Sequence, residues 1–274
     1  MGEQFDTVKA GHRKMWALGD YPALAADINP ELGRVLVQAS GAKSGDRVLD
    51  IAAGSGNAAI TAALAGADVV ASDLTPELLD AGREEAARRN AHLEWREADA
   101  EALPFGDGEF DIVMSCVGIM FAPHHQAAAD EMVRVCRPGG TIALLSWTPE
   151  GFIGQMFATM RPYAPPPPPA ARPAPLWGSP DHVRELLGER VTGITSERRT
   201  LQVGLFNEPE DFRDYFKTYY GPTITVYRHI ADDPEKVAAL DQALTNLARD
   251  HAQGTSPLTL NWEYLLTTAH RRPE

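Results

Sequence analysis

The chain has 274 residues, enough for one large domain or for one domain with a smaller attachment. Hydrophobic residues make up 44% and charged residues 23%, as in an ordinary globular protein. The formal net charge of −13 disfavours nucleic acid and anionic membranes as partners, because like charges repel. Two cysteines outside any CxxC spacing, Cys116 and Cys136, predict reduced thiols in a cytoplasmic protein. No apolar run reaches the roughly 20 residues that a membrane helix needs.

Helical spacing of apolar residues predicts an amphipathic helix over 4–18, which the sequence GDYP at 19–22 breaks. Asn29 before a proline predicts the cap of a second helix. From Asp46 onward, short apolar runs alternate with helical segments, which is typical of a parallel sheet with helices on both faces. The predicted strands are 47–51, 68–72, 92–96, 110–116 and 140–147, and the predicted helices between them are 57–65, 75–89 and 124–136.

The sequence RPGG at 137–140 predicts a turn ahead of the fifth strand. Residues 162–175 are rich in proline, which favours an extended polyproline II segment. We expect a stiff strap there, although such a run can also bind an adaptor domain. Further downstream, 191–205 and 258–266 predict two more strands, and helical stripes lie between them. Those two strands could complete the same sheet.

A glycine loop, Gly54-Ser55-Gly56-Asn57-Ala58-Ala59, follows the first strand of this array and precedes a helix. In open α/β sheets, a loop at this place binds a nucleotide-containing ligand. Asp73 ends the next strand, at a spacing suited to a carboxylate that holds ribose hydroxyls. Because both NAD and S-adenosylmethionine contain adenosine, Asp73 does not distinguish between them.

Asp50 does distinguish them, since it ends the first strand directly before the glycines. A carboxylate beside a pyrophosphate is unfavourable, whereas S-adenosylmethionine carries a positive ammonium and a positive sulfonium. The alternative is that Asp50 only caps a turn or helix. The sequence therefore favours S-adenosylmethionine over NAD.

Four stretches resemble the class I S-adenosylmethionine-dependent methyltransferases, in particular their ubiquinone/menaquinone-biosynthesis-type branch. They are VLDIAAGSGNAA at 48–59, VVASDLTPELLDAGRE at 69–84, WREADAEALPFGDGEFDIVMSCVGIMF at 95–121 and VRVCRPGGTIALLSW at 133–147. The resemblance covers about residues 44–147. It implies that the cofactor contacts Asp50, Ala52, Gly54, Ser55, Gly56, Asn57, Asp73, Leu74, Asp99, Ala100, Ser115 and Cys116.

The fold that this resemblance implies is a Rossmann-like α/β fold. Its seven-stranded, mostly parallel sheet has an antiparallel last strand and helices on both faces. We expect residues 1–42 to form an N-terminal helical lid and residues 43–274 to form the methyltransferase domain. An insertion at about 148–188, after the fifth strand, would cover the substrate.

Methyl transfer is an in-line displacement, for which the protein aligns the reactants and removes a proton where needed. We therefore expect no metal, and the adjacent histidines at 124–125 do not share a helix face. The candidates for a general base are His12, Tyr21 and His124. His12 could instead be a core histidine, and His124 could be a solvated residue at a helix start.

An apolar or aromatic substrate pocket is predicted from six further residues, Trp16, Met120, Phe157, Tyr163, Tyr215 and Tyr219. Ordinary core packing is the alternative for each of them. The predicted function is transfer of a methyl group from S-adenosylmethionine to a small molecule, at carbon or oxygen, which leaves S-adenosylhomocysteine. Tailoring of a specialised metabolite by a monomer or homodimer fits this prediction. The rivals are an NAD(P)-dependent oxidoreductase and a non-catalytic partner-binding protein.

Overall fold

The computed structural model describes residues 2–28, 30–254 and 257–273. The helices are α1 (Gly2–Trp16), α2 (Tyr21–Asp27), α3 (Pro30–Ser40), α4 (Asn57–Leu64), α5 (Pro76–Arg88), α6 (His125–Val135), α7 (Phe152–Met160), α8 (Pro180–Leu187), α9 (Pro209–Tyr219), α10 (Gly221–His229) and α11 (Pro234–His251). The strands are β1 (Arg47–Ile51), β2 (Asp68–Asp73), β3 (Glu94–Glu97), β4 (Phe110–Cys116), β5 (Cys136–Trp147), β6 (Val191–Phe206) and β7 (Leu258–Arg271). Short 3₁₀ turns lie at Ile119–Phe121, Arg161–Tyr163, Ala174–Gly178 and Gly188–Arg190.

The seven strands of the described residues form one sheet in the order β3-β2-β1-β4-β5-β7-β6. Strands β1 to β5 pair in parallel, and β7 runs antiparallel to β5. This confirms the predicted Rossmann-like sheet with an antiparallel last strand. The central strands β1 and β4 are almost wholly buried, which explains why they read as continuous apolar runs rather than alternating ones.

The strand order reverses at β1, because the chain moves outward through β2 and β3 and then returns to the other side at β4. The carboxyl end of β1 is therefore a topological switch point, where loops diverge and leave a crevice. The glycine loop begins at that point.

Contacts divide the chain into two compact units, and each is made of three separate segments. Unit 1 comprises Met1–Ile28, Pro149–Pro169 and Thr200–Glu263. Unit 2 comprises Asn29–Thr148, Ala170–Arg199 and Tyr264–Glu274. Unit 2 contains β1 to β5, whereas unit 1 is mainly helical. The predicted lid at 1–42 and insertion at 148–188 stay predictions about function.

Aromatic packing builds the core of unit 1. The rings of Phe152 and Trp262 are stacked, with their centroids 5.9 Å apart. The Phe212 ring packs edge-on against the Phe152 ring, with their centroids 4.9 Å apart. The centroids of the Phe212 and Phe216 rings are 4.7 Å apart. The face of α9 that carries Phe212 and Phe216 is thus core, which was one of the two alternatives for the aromatic residues of this helix.

Several local predictions need correction. Helix α2 was not predicted; it begins after Asp20, whose Oδ1 accepts a hydrogen bond from the Ala23 N–H at 3.1 Å. The turn predicted at 137–140 is wrong, because β5 already starts at Cys136 and the register with β4 shifts there. Gly139 takes a φ of 73° at this irregularity, so the glycines form a bulge within the strand. The predicted cap at Asn29 lies outside the described residues.

A pair of histidines, one buried (His125) and one half-buried (His182), joins α6 to α8. The Nδ1 atom of His125 lies 2.9 Å from the Nε2 atom of His182, and the Trp177 ring lies 5.6 Å from the His125 ring. His125 is only 2% exposed. Burial, together with the nearby His182, lowers the pKa of His125 to about 4. The pair is therefore neutral in the folded protein at pH 7.

Acid should destabilise the protein through this pair. Between about pH 6.5 and pH 4 the unfolded chain protonates residue 125 and the folded chain does not, so stability is present above this window and is lost as the pH falls. The contribution of His125 is up to about 1.4 kcal/mol per pH unit. Urea unfolding of the wild type and of His125→Phe at pH 7.5, 6 and 5 measures it. Equal pH slopes for both proteins would contradict this assignment.

Candidate functional site

The loop between β1 and α4 adopts left-handed backbone at three positions, Ala52, Gly54 and Gly56, with φ values of 52°, 57° and 86°. Glycine adopts such a backbone readily, but for alanine it is uncommon. The loop after β4 approaches very closely, since a Cβ atom on Gly118 would overlap the carbonyl oxygen of Ala52. Only a glycine can occupy position 118 without moving the first loop.

Ser115 ties the same two strand ends together. Its Oγ donates a hydrogen bond to the Ile51 carbonyl at 2.7 Å and accepts one from the Ile119 N–H at 2.8 Å. Ser115 is completely buried, so these bonds are shielded from competing water. The serine that the resemblance assigns to the cofactor therefore also fixes the geometry of the site.

Asp50 is buried at the end of β1, with 1% exposure. One carboxyl oxygen, Oδ2, accepts a hydrogen bond from the Ala59 N–H at 3.0 Å. The other, Oδ1, has no hydrogen-bond partner among the described residues. Burial raises the pKa of Asp50 to about 8, and the neighbouring carboxylate of Asp73 adds to the rise. The site thus contains an acceptor oxygen that a bound cation or N–H donor would satisfy.

Asp73, at the end of β2, holds the loop from the other side. It accepts hydrogen bonds from the Gly54 N–H at 2.8 Å and the Thr75 N–H at 2.9 Å. Burial raises the pKa of this carboxyl as well. The Ala98 N–H donates to the Asp73 carbonyl at 2.9 Å, and this contact brings Asp99 to the same edge of the sheet.

The structure brings the predicted cofactor residues of unit 2 together at the carboxyl edge of β1, β2, β3 and β4. They are Asp50, Ala52, Gly54, Ser55, Gly56, Asn57, Asp73, Leu74, Asp99, Ala100, Ser115 and Cys116. No atom lies within 4 Å of a Cβ position on Gly54, so the loop leaves open space there. Two buried carboxyl groups beside open space suit a ligand with a positive amine and vicinal hydroxyls. They do not suit a pyrophosphate.

Cys116 differs from its neighbours in chemistry. Burial and the adjacent Asp50 raise the pKa of the thiol far above its ordinary value, so it stays protonated. A protonated thiol is a poor nucleophile. Cys116 can line the site but is unsuited to covalent chemistry.

His124 lies just before α6 and is held by Glu101. The Glu101 Oε1 accepts the His124 backbone N–H at 2.7 Å, and Oε2 lies 3.0 Å from the ring Nδ1. The Glu101 side chain is 7% exposed and that of His124 is 23% exposed. A carboxylate that accepts a hydrogen bond from Nδ1–H favours the tautomer in which Nε2 is the basic atom of the ring.

Glu101 was missed in the sequence, where it is one acid among many and nothing in its spacing links it to residue 124. Met120 is fully buried, which fits core packing, the alternative considered for it. Among the described residues, no three His, Cys, Asp or Glu side chains are grouped as a metal site would require.

The remaining predicted residues lie in unit 1, where Tyr220 is the centre of an aromatic cluster. The ring of Tyr220 lies 6.4 Å from Trp16, 6.3 Å from Tyr21 and 6.3 Å from Phe157. Trp16 and Tyr21 are themselves 5.4 Å apart. Trp16 and Phe157 were predicted as pocket residues and Tyr21 as a candidate base, and the structure brings these three together.

Tyr215 and Tyr219 are half-buried on α9, with ring centroids 4.9 Å apart. They line a cleft of about 450 Å³ within unit 1, together with Asp211 and Asp214. The Tyr215 hydroxyl donates to Asp27 at 2.8 Å. His12 lies half-buried on α1, and Tyr163 lies on the 3₁₀ turn Arg161–Tyr163.

Comparison with known proteins agrees with this geometry. A family model described as a methyltransferase domain matches residues 49–144. An uncharacterised Mycobacterium tuberculosis protein is 53% identical over 261 residues, which cover 95% of this chain and 94% of the relative. The ubiquinone/menaquinone biosynthesis C-methyltransferase UbiE of Pseudomonas putida is 39% identical over 120 residues, 42% of this chain and 47% of UbiE. This chain belongs to the class I S-adenosylmethionine-dependent methyltransferases.

The fold of this methyltransferase also has solved relatives. Phosphoethanolamine N-methyltransferase 2 of Haemonchus contortus, in complex with S-adenosyl-L-methionine, superposes with a TM-score of 0.54. The two are 19% identical, and the match covers 88% of this chain and 52% of that one. At this identity the likeness concerns the fold alone. No helix in the described parts of the methyltransferase is long and apolar enough to cross a membrane.

The substitution Gly118→Ala tests the close approach of the loops that follow β1 and β4. The added methyl group would overlap the Ala52 carbonyl and force the two loops apart, so we expect a loss of about 2 kcal/mol or more in the free energy of unfolding. Urea denaturation measures this. Gly204→Ala is the control, because a Cβ atom there has no neighbour within 4 Å. Similar stabilities for the two variants would contradict the close approach.

Proposed function

We propose that this methyltransferase binds S-adenosylmethionine at the glycine loop and methylates a small aromatic or apolar molecule at carbon or oxygen. The observation that carries the proposal is the buried Asp50 oxygen, which has no hydrogen-bond partner among the described residues. A buried carboxyl oxygen without a partner is unfavourable, and a cationic amine beside it removes that penalty. A pyrophosphate there would instead bring negative charge next to a buried carboxyl group.

The residues of unit 2 would then share the binding of the cofactor. Asp50 would orient the ammonium group, the glycines would admit the methionine chain and Asp73 would bind the ribose hydroxyls. Asp99 and Ala100 would contact the adenine. When bound, the cofactor supplies a methyl group that its sulfonium already activates, so the protein's own residues orient the acceptor and remove its proton.

For that proton we propose His124. The contact between Glu101 Oε2 and Nδ1 orients the ring and leaves Nε2 able to accept a proton. His12 and Tyr21 remain alternative bases. The aromatic side chains around Tyr220 are suited to recognising an aromatic or apolar acceptor. The net charge of −13 makes a nucleic acid or anionic membrane an unfavourable substrate.

Cofactor affinity should depend on pH through Asp50. Because the carboxyl of Asp50 has a pKa of about 8 and must be ionised to bind an ammonium group, affinity should rise roughly tenfold per pH unit below pH 8. Calorimetric titration with S-adenosylhomocysteine between pH 6 and 8.5 measures this rise. At pH 8.5, where Asp50 is ionised, Asp50→Asn should bind at least tenfold more weakly than the wild type, and its affinity should depend much less on pH.

NADH is titrated in parallel as a control. Binding of NADH alone would favour an oxidoreductase over a methyltransferase reaction. If neither ligand bound, the data would favour a non-catalytic protein. Equal affinity for S-adenosylhomocysteine in the wild type and Asp50→Asn at pH 8.5 would show that Asp50 does not bind the cofactor.

Turnover measurements test whether His124 is the general base. Release of S-adenosylhomocysteine is measured with a panel of phenols and hydroquinones as acceptors. His124→Gln should lower kcat at least a hundredfold, and Glu101→Gln about tenfold, because the ring loses its orienting carboxylate. Binding of S-adenosylhomocysteine should change less than twofold in both variants. Wild-type turnover in His124→Gln would shift attention to His12 and Tyr21.

A further inference from the structure

Helix α5 contains a glycine, Gly82, in its interior, although an interior glycine costs roughly 0.5–1 kcal/mol relative to alanine. The structure gives the reason. A Cβ atom on Gly82 would overlap the six-membered ring of Trp95, and it would lie 3.2 Å from the carbonyl carbon of Ser55 in the glycine loop. The helix can approach the loop and the indole only because residue 82 has no side chain.

The same ring also presses on the loop itself. A Cβ atom on Gly56 would lie 2.5 Å from Cη2 of Trp95, and Gly56 is already held at a φ of 86°. Trp95 therefore fills the space between the last glycine of the loop and α5. Neither neighbour has a side chain that could replace the ring.

Pairing of β3 with β2 and packing against a buried cluster hold Trp95 itself in place. It lies on β3, in parallel register with Ala71 of β2. Its ring packs against a buried cluster of Ile60, Ala86 and Ala91. Ile60 belongs to the first turn of α4, so the ring supports both the loop and the start of that helix.

These contacts lead directly to the buried carboxyl group. Gly56 precedes α4, and the N–H of Ala59 in the first turn of that helix donates to Asp50 Oδ2 at 3.0 Å. A shift of Gly56 or Ile60 moves the Ala59 N–H, which among the described residues donates the only hydrogen bond to the carboxyl group of Asp50. The position of the indole thereby sets the position of the carboxylate.

We infer that Trp95 is a positioning residue for the cofactor: its ring, held between Gly56 and Gly82, fixes the glycine loop and the Ala59 N–H that orients Asp50. The inference rests on the proposed function of this loop. Trp95 acts on the loop from the side of α5, so its effect is on affinity rather than on the chemical step.

The test uses the full chain and calorimetric titration with S-adenosylhomocysteine. Trp95→Ala should weaken binding at least tenfold while kcat at saturating cofactor stays within threefold. The bond from the Ala59 N–H lowers the pKa of Asp50, so its loss should also move the rise of affinity with pH to higher pH. Ile142→Ala, on β5 and 1% exposed, is the control for general loss of stability.

A second pair of variants separates positioning from simple stability. Phenylalanine lacks the outer ring atoms that reach Gly82, so Trp95→Phe should open space there and weaken binding. Gly82→Ala should weaken binding in the wild type, where it overlaps the indole. In the Trp95→Phe background, Gly82→Ala should improve binding at least threefold, because its methyl group fills the gap.

The outcomes separate a failure of the positioning role from a failure of the proposed function. If the wild type binds S-adenosylhomocysteine and Trp95→Ala binds it equally well, the positioning role is wrong and the proposed function stands. The same holds if Ile142→Ala weakens binding as much as Trp95→Ala does, or if Gly82→Ala weakens binding in both backgrounds. If the wild type binds no S-adenosylhomocysteine, the proposed function fails and the positioning role fails with it.

Discussion

The burial of the Asp50 carboxyl group at the end of β1 is the constraint on which this site depends. A carboxylate removed from water is unfavourable unless hydrogen bonds or a cation compensate it, and here one backbone N–H compensates it only in part. The strand places Asp50 at the switch point, and the glycine loop keeps the space beside it open. The folded protein therefore contains a buried carboxyl group with too few hydrogen bonds, and a cationic ligand can stabilise its charged form.

The backbone of the loops beside Asp50 is also strained. Ala52 and Val117, each just beyond a strand end, have φ values of 52° and 59°, and for a β-branched residue such as Val117 this is a true outlier. Each such position costs on the order of 1–3 kcal/mol and persists only where the surroundings determine it. The Val117 N–H donates to Leu145 at 2.8 Å, and Ser115 and Gly118 fix the neighbouring backbone. Unstrained elements around the switch point thus stabilise two strained loops.

The sheet and the cofactor loop were predictable from sequence because their signals are local. Continuous apolar runs mark strands buried on both faces, and an acid followed by glycines marks the end of the first strand. The pairing of His124 with Glu101 and the contact of Trp95 with Gly82 were not predictable, since each depends on how separate elements pack. Gly82 did carry a signal, because a glycine inside a helix calls for a packing reason. Helix α2 and the bulge at Gly139 were missed because a local cap and a register shift overrode the turn signals.

The segmented construction of unit 1 has a consequence for how the protein is made. Helix α1 packs on α10, and Gly221 lies against the Met15 carbonyl so closely that a Cβ atom there would overlap it. At about 5–20 residues per second, the ribosome adds the roughly 200 residues between these two positions in about 10–40 s. During that interval α1 lacks its contact with α10, and apolar surface left without such a contact is open to binding by chaperones. A clipped or stalled chain that lacks α10 would leave the Met15 end of α1 without this contact permanently.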